Sequence, residues 1–376
     1  AWRINMNRVI EKGIRIVDIL LTFALAITVV ILGYYRFWQT MDAVLLALLL
    51  ILGGLLSLLI CTALHEFGHV IFGLCCGFRF NSMRIGFMNI HRKDGKLRIT
   101  FSRLPESLAG ATEMLPRNAE KLYSRFLLTI SGGLIFSFIV LAAACVVLFL
   151  YPIVPFAAYI FVGTALPFAF HIFFYNVLPF NDDNLDTDGG MLRGLLKKEP
   201  SYLTAVNILA IEGYLYQGKT PAEIDKALYF GLPQLPEDDL NFIVLTSYRF
   251  MYYVDSGDVE SAIKASDRLA GLLEYVPRLY YNDISAEILF CECCMKGDLE
   301  SAQKRYECIR QYLQGEKCLQ TYRVCAAYEL YVNKDKIAAL RALSAAQQKA
   351  DECVIEGVQR YERKLISCIR ADIDAS

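Results

Sequence analysis

Two long stretches of the sequence contain no charged residue, and they restrict the possible folds more than any other feature. The first covers residues 43–64 and the second covers residues 126–181. A helix needs about 20 apolar residues to cross the hydrocarbon core of a bilayer, so such stretches are typical of membrane-spanning helices. We predict a mainly α-helical, polytopic membrane bundle with four spans, at residues 16–35, 43–76, 124–150 and 156–179.

The borders of these spans carry further signals. No small-residue cleavage site follows the first stretch, so we expect a membrane span there and not a cleaved leader. Pro152 and Pro155 predict a tight turn between the third and fourth spans, because proline breaks a helix. The second span is longer than one perpendicular crossing requires, and we expect its end to tilt or to project.

Basic residues predict how the bundle is oriented. Four precede the first span and ten lie between residues 79 and 125, whereas residues 36–42 contain one. The positive-inside rule then places the N-terminus, the 79–125 loop and everything after the fourth span in the cytosol. Eight of the twelve cysteines lie beyond residue 290 without a paired CxxC…CxxC spacing, which indicates a reducing compartment. We expect a multi-pass protein of a bacterial cell membrane.

The basic loop contains a pattern typical of β-structure. In MRIGFMNIHRKDGKLRITFS, apolar and polar residues alternate on both sides of Asp94-Gly95. A DG pair between such segments favours a two-residue turn, so we predict a β-hairpin over about residues 82–102, close to the membrane surface. Its basic residues are suited to contact anionic lipid headgroups. A solvated basic loop is the alternative.

The C-terminal half contains four related segments. They begin near residues 217, 256, 296 and 332, and each has a polar turn followed by apolar residues at helical spacing. This pattern predicts stacked helix pairs that resemble tetratricopeptide (TPR-like) repeats, a surface that usually binds proteins. An irregular helical bundle is the alternative. We therefore divide the chain into a membrane domain, residues 1–198, and a cytosolic helical-repeat domain, residues 199–376.

The second predicted span contains the sequence HEFGH. His65 and His69 are four residues apart and lie on one face of a helix, where two imidazoles can bind one zinc ion. Glu66 between them is placed to accept a proton from a water on the metal. Ionisable groups are costly within an apolar helix, which favours a functional role over chance. The sequence therefore predicts a catalytic metal site in the membrane.

A catalytic zinc needs a third protein ligand and an open position for water. The segment FYNVLPFNDDNLDTDGGMLRGLL, residues 174–196, offers candidates. Asn176 and Pro179 end the fourth span, and a cluster of acidic residues follows. Asp188 precedes two glycines and can therefore approach a metal closely. Asp186 is a rival ligand.

An HExxH in one membrane helix, followed by N-x-x-P and D-G-G at the end of another, resembles the site-2 protease family of intramembrane zinc metalloproteases. The resemblance covers roughly residues 43–195. It implies one zinc ion per chain, held by His65, His69 and Asp188, with Glu66 as the catalytic base and Asn176 as a polar assistant. Asn176 and Asp188 are more widely spaced than in many members, and Ser131-Gly132-Gly133 stands where many relatives have Gly-Pro and Asn. We expect these glycines to permit close helix packing.

The resemblance also implies a substrate and a mode of binding. The enzyme would hydrolyse peptide bonds of transmembrane or membrane-anchored proteins after part of the substrate unwinds into a strand. The hairpin is a candidate edge for that strand, through Ile85, Phe87, Asn89 and Ile99. The bilayer and a protein bound to the helical repeats are further expected partners, and we expect no binding to nucleic acid.

Two other functions remain open. A catalytically inactive scaffold could recruit partners through its helical repeats, although it would have no use for Glu66. A transporter is the other, but the four spans show no transport-type repeat. His171 in the fourth span is expected to be an interior polar residue, and Cys61, Cys75 and Cys76 are expected to be small buried hydrophobic residues.

Overall fold

The computed structural model describes residues 2–93, 96–101, 110–182 and 185–375, which are mainly helical. The chain divides into two compact units. One unit contains residues 1–115 and 123–198, and the other contains residues 116–122 and 199–376.

Four helices are long and apolar enough to cross a membrane, as the sequence predicts. They are the Ile10–Phe37 part of α1 (Trp2–Phe37), α2 (Ala43–Cys75), α3 (Leu122–Phe149) and the segment Phe156–Val177. The last is not the continuous helix that we predicted. It consists of α4 (Phe156–Phe161), a 3-10 turn (Gly163–Ala165) and α5 (Leu166–Val177). Pro167 lies in the first turn of α5, where its missing N–H group is tolerated.

Helix α2 carries the HExxH sequence and is unbroken over 33 residues. It begins at Asp42, whose carboxylate accepts hydrogen bonds from the backbone N–H groups of Val44 and Leu45, both at 3.0 Å. At about 1.5 Å per residue such a helix is about 50 Å long. Because the hydrocarbon core is only about 30 Å thick, the helix must tilt or project, as expected.

A four-stranded sheet connects α2 to α3. Its strands are β1 (Phe78–Ile85), β2 (Met88–Lys93), β3 (Lys96–Phe101) and β4 (Gly110–Pro116), in the spatial order β3-β2-β1-β4. The predicted hairpin is confirmed as the antiparallel pair β2–β3, with Lys93 opposite Lys96. The turn residues 94 and 95 and residue 102 lie outside the described residues. The sheet is larger than the prediction, because β1 and β4 add one strand each.

Helices α2 and α3 cross at two glycines. A methyl group on either Gly68 or Gly132 would overlap the backbone carbonyl of the other. The two backbones can therefore approach as closely as small residues allow in membrane helix pairs. This packing is what the glycines in the third span predicted. After α5, a two-residue pair of strands, β5 (Asn181–Asp182) and β6 (Leu185–Asp186), leads into the short helix α6 (Asp188–Leu196).

The second unit consists of nine helices among its described residues, many of them joined by short turns. They are α7 (Pro200–Tyr216), α8 (Ala227–Phe230), α9 (Leu240–Ser256), α10 (Val259–Gly271), α11 (Arg278–Cys291), α12 (Leu299–Gly315), α13 (Leu319–Tyr331), α14 (Lys336–Asp351) and α15 (Glu356–Ala375). Three of the repeated segments begin α10, α12 and α14. Each of these helices is capped by an aspartate, namely Asp258, Asp298 and Asp335. The resemblance to TPR repeats remains a prediction.

Candidate metal centre

The two histidines of the HExxH sequence face the same side of α2. Their Nε2 atoms are 3.3 Å apart, as the one-turn spacing of residues i and i+4 requires. The side chain of His65 is 6% exposed and that of His69 is 13% exposed. Both imidazoles therefore lie in the interior of the helical bundle.

Asp188 completes a triangle of donor atoms. Its Oδ2 lies 3.3 Å from Nε2 of His65 and 3.3 Å from Nε2 of His69. In a tetrahedral zinc site with bonds of about 2.0–2.1 Å, two ligand atoms are about 3.3–3.4 Å apart. The three side chains thus have the spacing, and the N₂O donor set, that suit one face of a zinc tetrahedron.

Asp188 is positioned by the first turn of α6. The hydroxyl of Thr187 caps this helix by accepting from the N–H of Gly190 at 3.3 Å. A side chain on Gly189 would overlap the carbonyl of Val177 at the end of α5. The glycines after Asp188 therefore let α6 pack directly against α5, which brings the carboxylate to the imidazoles.

The electrostatics of Asp188 favour cation binding. Burial raises the pKa of this carboxyl, but the two imidazoles beside it outweigh that effect and lower the pKa to about 2. The carboxylate is therefore ionised at neutral pH. Its buried Oδ2 lies 3.3 Å from both Nε2 atoms and makes no hydrogen bond of regular geometry with the described residues, which is unusual for such an atom. A metal ion would satisfy it.

Helix α3 holds the far side of both imidazole rings. Nδ1 of His69 donates to the backbone carbonyl of Thr129 at 3.0 Å, and Nδ1 of His65 lies 2.8 Å from the hydroxyl of Ser137. A hydrogen bond at Nδ1 fixes the orientation of a ligating histidine and leaves the Nε2 lone pair for the metal. The two residues of α3 therefore support the same donor geometry.

Space for an ion is preserved by a glycine of α3. A methyl group on Gly133 would overlap Nε2 of His69 and would come within 2.9 Å of Cε1 of His65. Any larger residue would fill the volume next to the imidazoles. The donor atoms, the unpaired carboxylate oxygen and this cleared space together fit a bound metal.

Glu66 is held by strand β4. The hydroxyl of Thr112 donates to Oε2 of Glu66 at 2.6 Å, and Gly110 packs so closely that a methyl group there would overlap Oε1. Only 5% of Glu66 is exposed. The carboxylate is thus fixed between its own helix and the nearest strand of the sheet, next to the histidine pair.

The other predicted site residues lie in different surroundings. The side-chain amide of Asn176 donates to the carbonyl of Ile172 at 2.9 Å, within its own helix. The backbone carbonyl of Asn176 packs against Gly189, so the residue is close to the metal-binding segment. Asp186 packs against Gly190 and does not belong to the group of donor atoms found among the described residues, which consists of His65, His69 and Asp188.

Of the four residues predicted to form a substrate-binding edge, one lies on an edge strand. Ile99 belongs to β3 at the outer edge of the sheet and is 60% exposed. Ile85 and Asn89 belong to the inner strands β1 and β2, whose two sides both face neighbouring strands, and Phe87 lies in the turn between them. The hairpin therefore offers an edge through β3 alone, and substrate binding by these four residues stays a prediction.

Several residues around the site were not predicted from the sequence. Thr112, Ser137 and Thr129 are far from the HExxH in the sequence and belong to no motif. For Ser137 the one available signal was a polar residue in an apolar span, whereas Thr129 contributes its backbone carbonyl, which no side-chain type marks in the sequence. Asp18 was also missed. Its buried carboxylate Oδ2 lies 2.6 Å from Nδ1 of His171, so His171 has a polar partner, but its side chain is 37% exposed and not interior as we expected. Cys61 is buried, whereas Cys75 is exposed and Cys76 is partly exposed, so the prediction of burial was wrong for these two.

Comparison with known proteins identifies a family. The sequence model of peptidase family M50 matches residues 53–360, a range that includes the HExxH sequence and Asp188. No curated protein and no solved structure matches the chain.

Proposed function

The chain belongs to peptidase family M50, and from that membership we propose that it is an intramembrane zinc metalloprotease. The observation that carries the proposal is the triangle of Nε2, Nε2 and Oδ2 atoms at mutual distances of 3.3 Å. His65, His69 and Asp188 would hold the ion, and the fourth position would remain open for water and substrate. Zinc bound there supplies Lewis-acid polarisation of the scissile carbonyl and lowers the pKa of a water.

Glu66 supplies the proton transfers of this mechanism. Its carboxylate takes a proton from the attacking water and returns it to the nitrogen of the leaving amine, so that the peptide bond is exchanged for a carboxylic acid and an amine. Thr112 donates to Oε2 and so fixes the carboxylate during both transfers. Asn176, at the end of α5, is proposed to assist in holding the substrate main chain.

The substrates we propose are membrane-embedded or membrane-anchored proteins. A helical substrate hides its amides in its own hydrogen bonds and must be extended before it is cut. An extended segment can be held by pairing with an exposed sheet edge. Strand β4 is one of the two edges and is the strand that contacts Glu66, so we propose it as the docking edge in place of the hairpin.

Orientation and partners complete the proposal. The basic loop between α2 and α3 and the helical unit would face the cytosol, and the helical unit would bind a protein partner. The exposed apolar surfaces of the four spans would contact lipid.

The proposal is tested by separating metal binding from cleavage. We expect purified Glu66→Gln to retain about one zinc per chain and to lose proteolysis, because the donor triangle is untouched while the base is removed. His65→Ala should lose both. Glu260→Gln on α10 is the matched control, because this exposed glutamate pairs with Lys264 of its own helix and should leave both properties unchanged.

Substrates of unknown sequence can be identified by the ends that cleavage creates. Membrane proteins from cells that express the wild-type chain or Glu66→Gln are compared for new N-termini. We expect termini inside predicted spans only with the wild-type chain. The same set of termini in both samples, or a purified wild-type protein without zinc, would contradict the proposed activity.

A further inference from the structure

The first span contains a buried carboxylate that the proposed mechanism does not use. Asp18 of α1 has a side chain that is only 3% exposed, and its Oδ2 accepts a hydrogen bond from Nδ1 of His171 on α5 at 2.6 Å. Its Oδ1 is buried without a hydrogen-bond partner among the described residues. An ionisable residue inside a membrane span is costly and usually has a functional role.

A second residue of α1 reaches the same region one turn earlier. The guanidinium of Arg15 lies 5.6 Å from the ring centre of Tyr175 and 5.2 Å from that of Phe180. Tyr175 lies one turn after His171 on α5, and Phe180 follows the end of that helix. Arg15 and Asp18, on successive turns of α1, therefore contact the last turns of α5 and the segment that follows α5 in the chain.

That segment is connected to the metal-binding residue. The backbone N–H of Phe180 donates to the hydroxyl of Thr187 at 3.1 Å, and the N–H of Thr187 donates to the carbonyl of Phe180 at 3.0 Å. Thr187 caps α6, and the next residue is Asp188. The contacts form a continuous path from Asp18 and Arg15 through α5 and Phe180 to Asp188.

From this path we infer that Asp18 is a positioning residue for the metal site. By holding His171, it keeps α5 in place against α1, and α5 in turn fixes the position at which α6 presents Asp188. The first span thus supports the third metal ligand without touching it. The inference rests on the proposed metal-binding function and adds a role for a helix that contains none of the ligands.

The test uses the full-length protein in detergent and reads out the metal site directly. Asp18→Leu removes the acceptor at similar volume, and Asp18→Asn keeps an acceptor oxygen for His171. Zinc affinity is measured by competition with a chromogenic chelator, and the visible spectrum of the Co²⁺-substituted protein reports its coordination. The control is Thr28→Val, because the hydroxyl of Thr28 bonds only within its own helix, to the carbonyl of Ala24.

We expect Asp18→Leu to weaken zinc binding by about 10-fold, the low end of the roughly 10- to 100-fold seen when a direct hydrogen-bond partner of a metal ligand is lost, because Asp18 acts through α5 and touches no ligand itself. Its Co²⁺ spectrum should change toward that of Asp188→Asn. Asp18→Asn should lie between Asp18→Leu and the wild type, and Thr28→Val should match the wild type. The double variant Asp18→Leu/His171→Leu should bind zinc no more weakly than Asp18→Leu, because both residues act through one contact.

Three results would overturn the inference. In the first, both Asp18 variants have the zinc affinity and the Co²⁺ spectrum of the wild type, whatever their thermal stability. The contact between Asp18 and His171 would then have a purely structural role. Another is additive losses in the double variant. The third, where Asp18→Leu fails to fold, is wild-type zinc binding by the single variant His171→Leu, which removes the same contact from its other side. A wild-type protein that binds neither metal would refute the proposed function itself, so the two failures are distinguishable.

Discussion

Thr112 shows how a residue outside any motif can serve the site. It belongs to a strand, whereas the carboxylate it holds belongs to a membrane helix, and the two residues are 46 positions apart in the sequence. The hydroxyl donates a hydrogen bond to Oε2, which fixes the carboxylate in one orientation. Such a group is recognised only once the strand has been placed on the helix.

We expect Thr112→Val to reduce kcat by about tenfold or more, a fraction of the roughly 10²- to 10⁴-fold that a general base contributes. The change keeps the shape of the side chain and removes only the donor, so zinc content should be unchanged. Thr112→Ser restores the hydroxyl and is expected to recover most of the activity. Wild-type turnover by Thr112→Val would show that the hydrogen bond does not orient the base.

Some residues of the site could be predicted from the sequence, and others could not. His65, Glu66 and His69 could be proposed because a single helical turn determines their relation. The choice between Asp186 and Asp188 depends on where α6 packs, which no local pattern specifies. The structure brings Asp188 to the imidazoles through the contact between Gly189 and the end of α5.

At the scale of elements, local sequence patterns predicted the spans and one hairpin, but not the remaining strands of the sheet. Long uncharged stretches predicted the spans, and the DG turn predicted the β2–β3 pair. Strand β4 (GATEMLP) pairs with β1 across an intervening hairpin, and no regular alternation of apolar and polar residues marks it in the sequence. The interruption between α4 and α5 was likewise missed, although Gly163 and Pro167 at this point disfavour an unbroken helix.

The crossing of α2 and α3 can be tested with one added methyl group. We expect Gly132→Ala to destabilise the protein by about 1–3 kcal/mol, because the methyl group overlaps the carbonyl of Gly68 and forces the helices apart. The measurement is thermal unfolding in detergent. Gly54→Ala on α2 is the matched control, since its nearest neighbour outside the local backbone is a ring atom of Phe168 at 4.0 Å. Equal unfolding midpoints for the two variants would contradict the close packing.

At the scale of the whole molecule, the two units follow different physical rules. The first unit exposes apolar side chains, as a lipid-facing bundle does. The helical unit joins its last helix to an earlier one through a polar contact, in which Lys364 of α15 bonds to Asp255 of α9 at 2.9 Å. The repeated segments predicted successive helix pairs, but they gave no indication that α15 would pack against α7 and α9.

The contact between Asp255 and Lys364 makes the stability of the helical unit dependent on pH. Burial raises the pKa of the Asp255 carboxyl, but hydrogen bonds from Thr220, from the N–H of Ala222 and from Lys364 outweigh burial and lower it. A lowered folded-state pKa means that the ionised group stabilises the fold above the unfolded value of about 3.9. This stabilisation is lost as the pH falls through the folded-state value.

We therefore expect Asp255→Asn to unfold at a lower temperature than the wild type at pH 7, and the two midpoints to converge as the pH falls below about 4. Helical circular dichroism of the full chain in detergent gives both midpoints. Glu300→Gln is the control, because this exposed partner of Lys304 contributes little. A difference between Asp255→Asn and wild type that stays constant down to pH 3 would show that the charge is not the stabilising feature.

The proposed orientation of the bundle rests on the distribution of its basic residues, and it can be tested from both sides of the membrane. Cys368 of α15 is exposed and should react with an impermeant maleimide in inverted membrane vesicles but not in right-side-out ones. The complementary probe is Thr40→Cys, in the short segment between α1 and α2, which should show the reverse pattern. Each probe is read in a chain that has no other cysteine, so that one site gives the whole signal. Labelling of Cys368 from the outside would contradict the proposed orientation. The sheet and its edge strand β4 would then lie on the side of the membrane opposite to the one we propose.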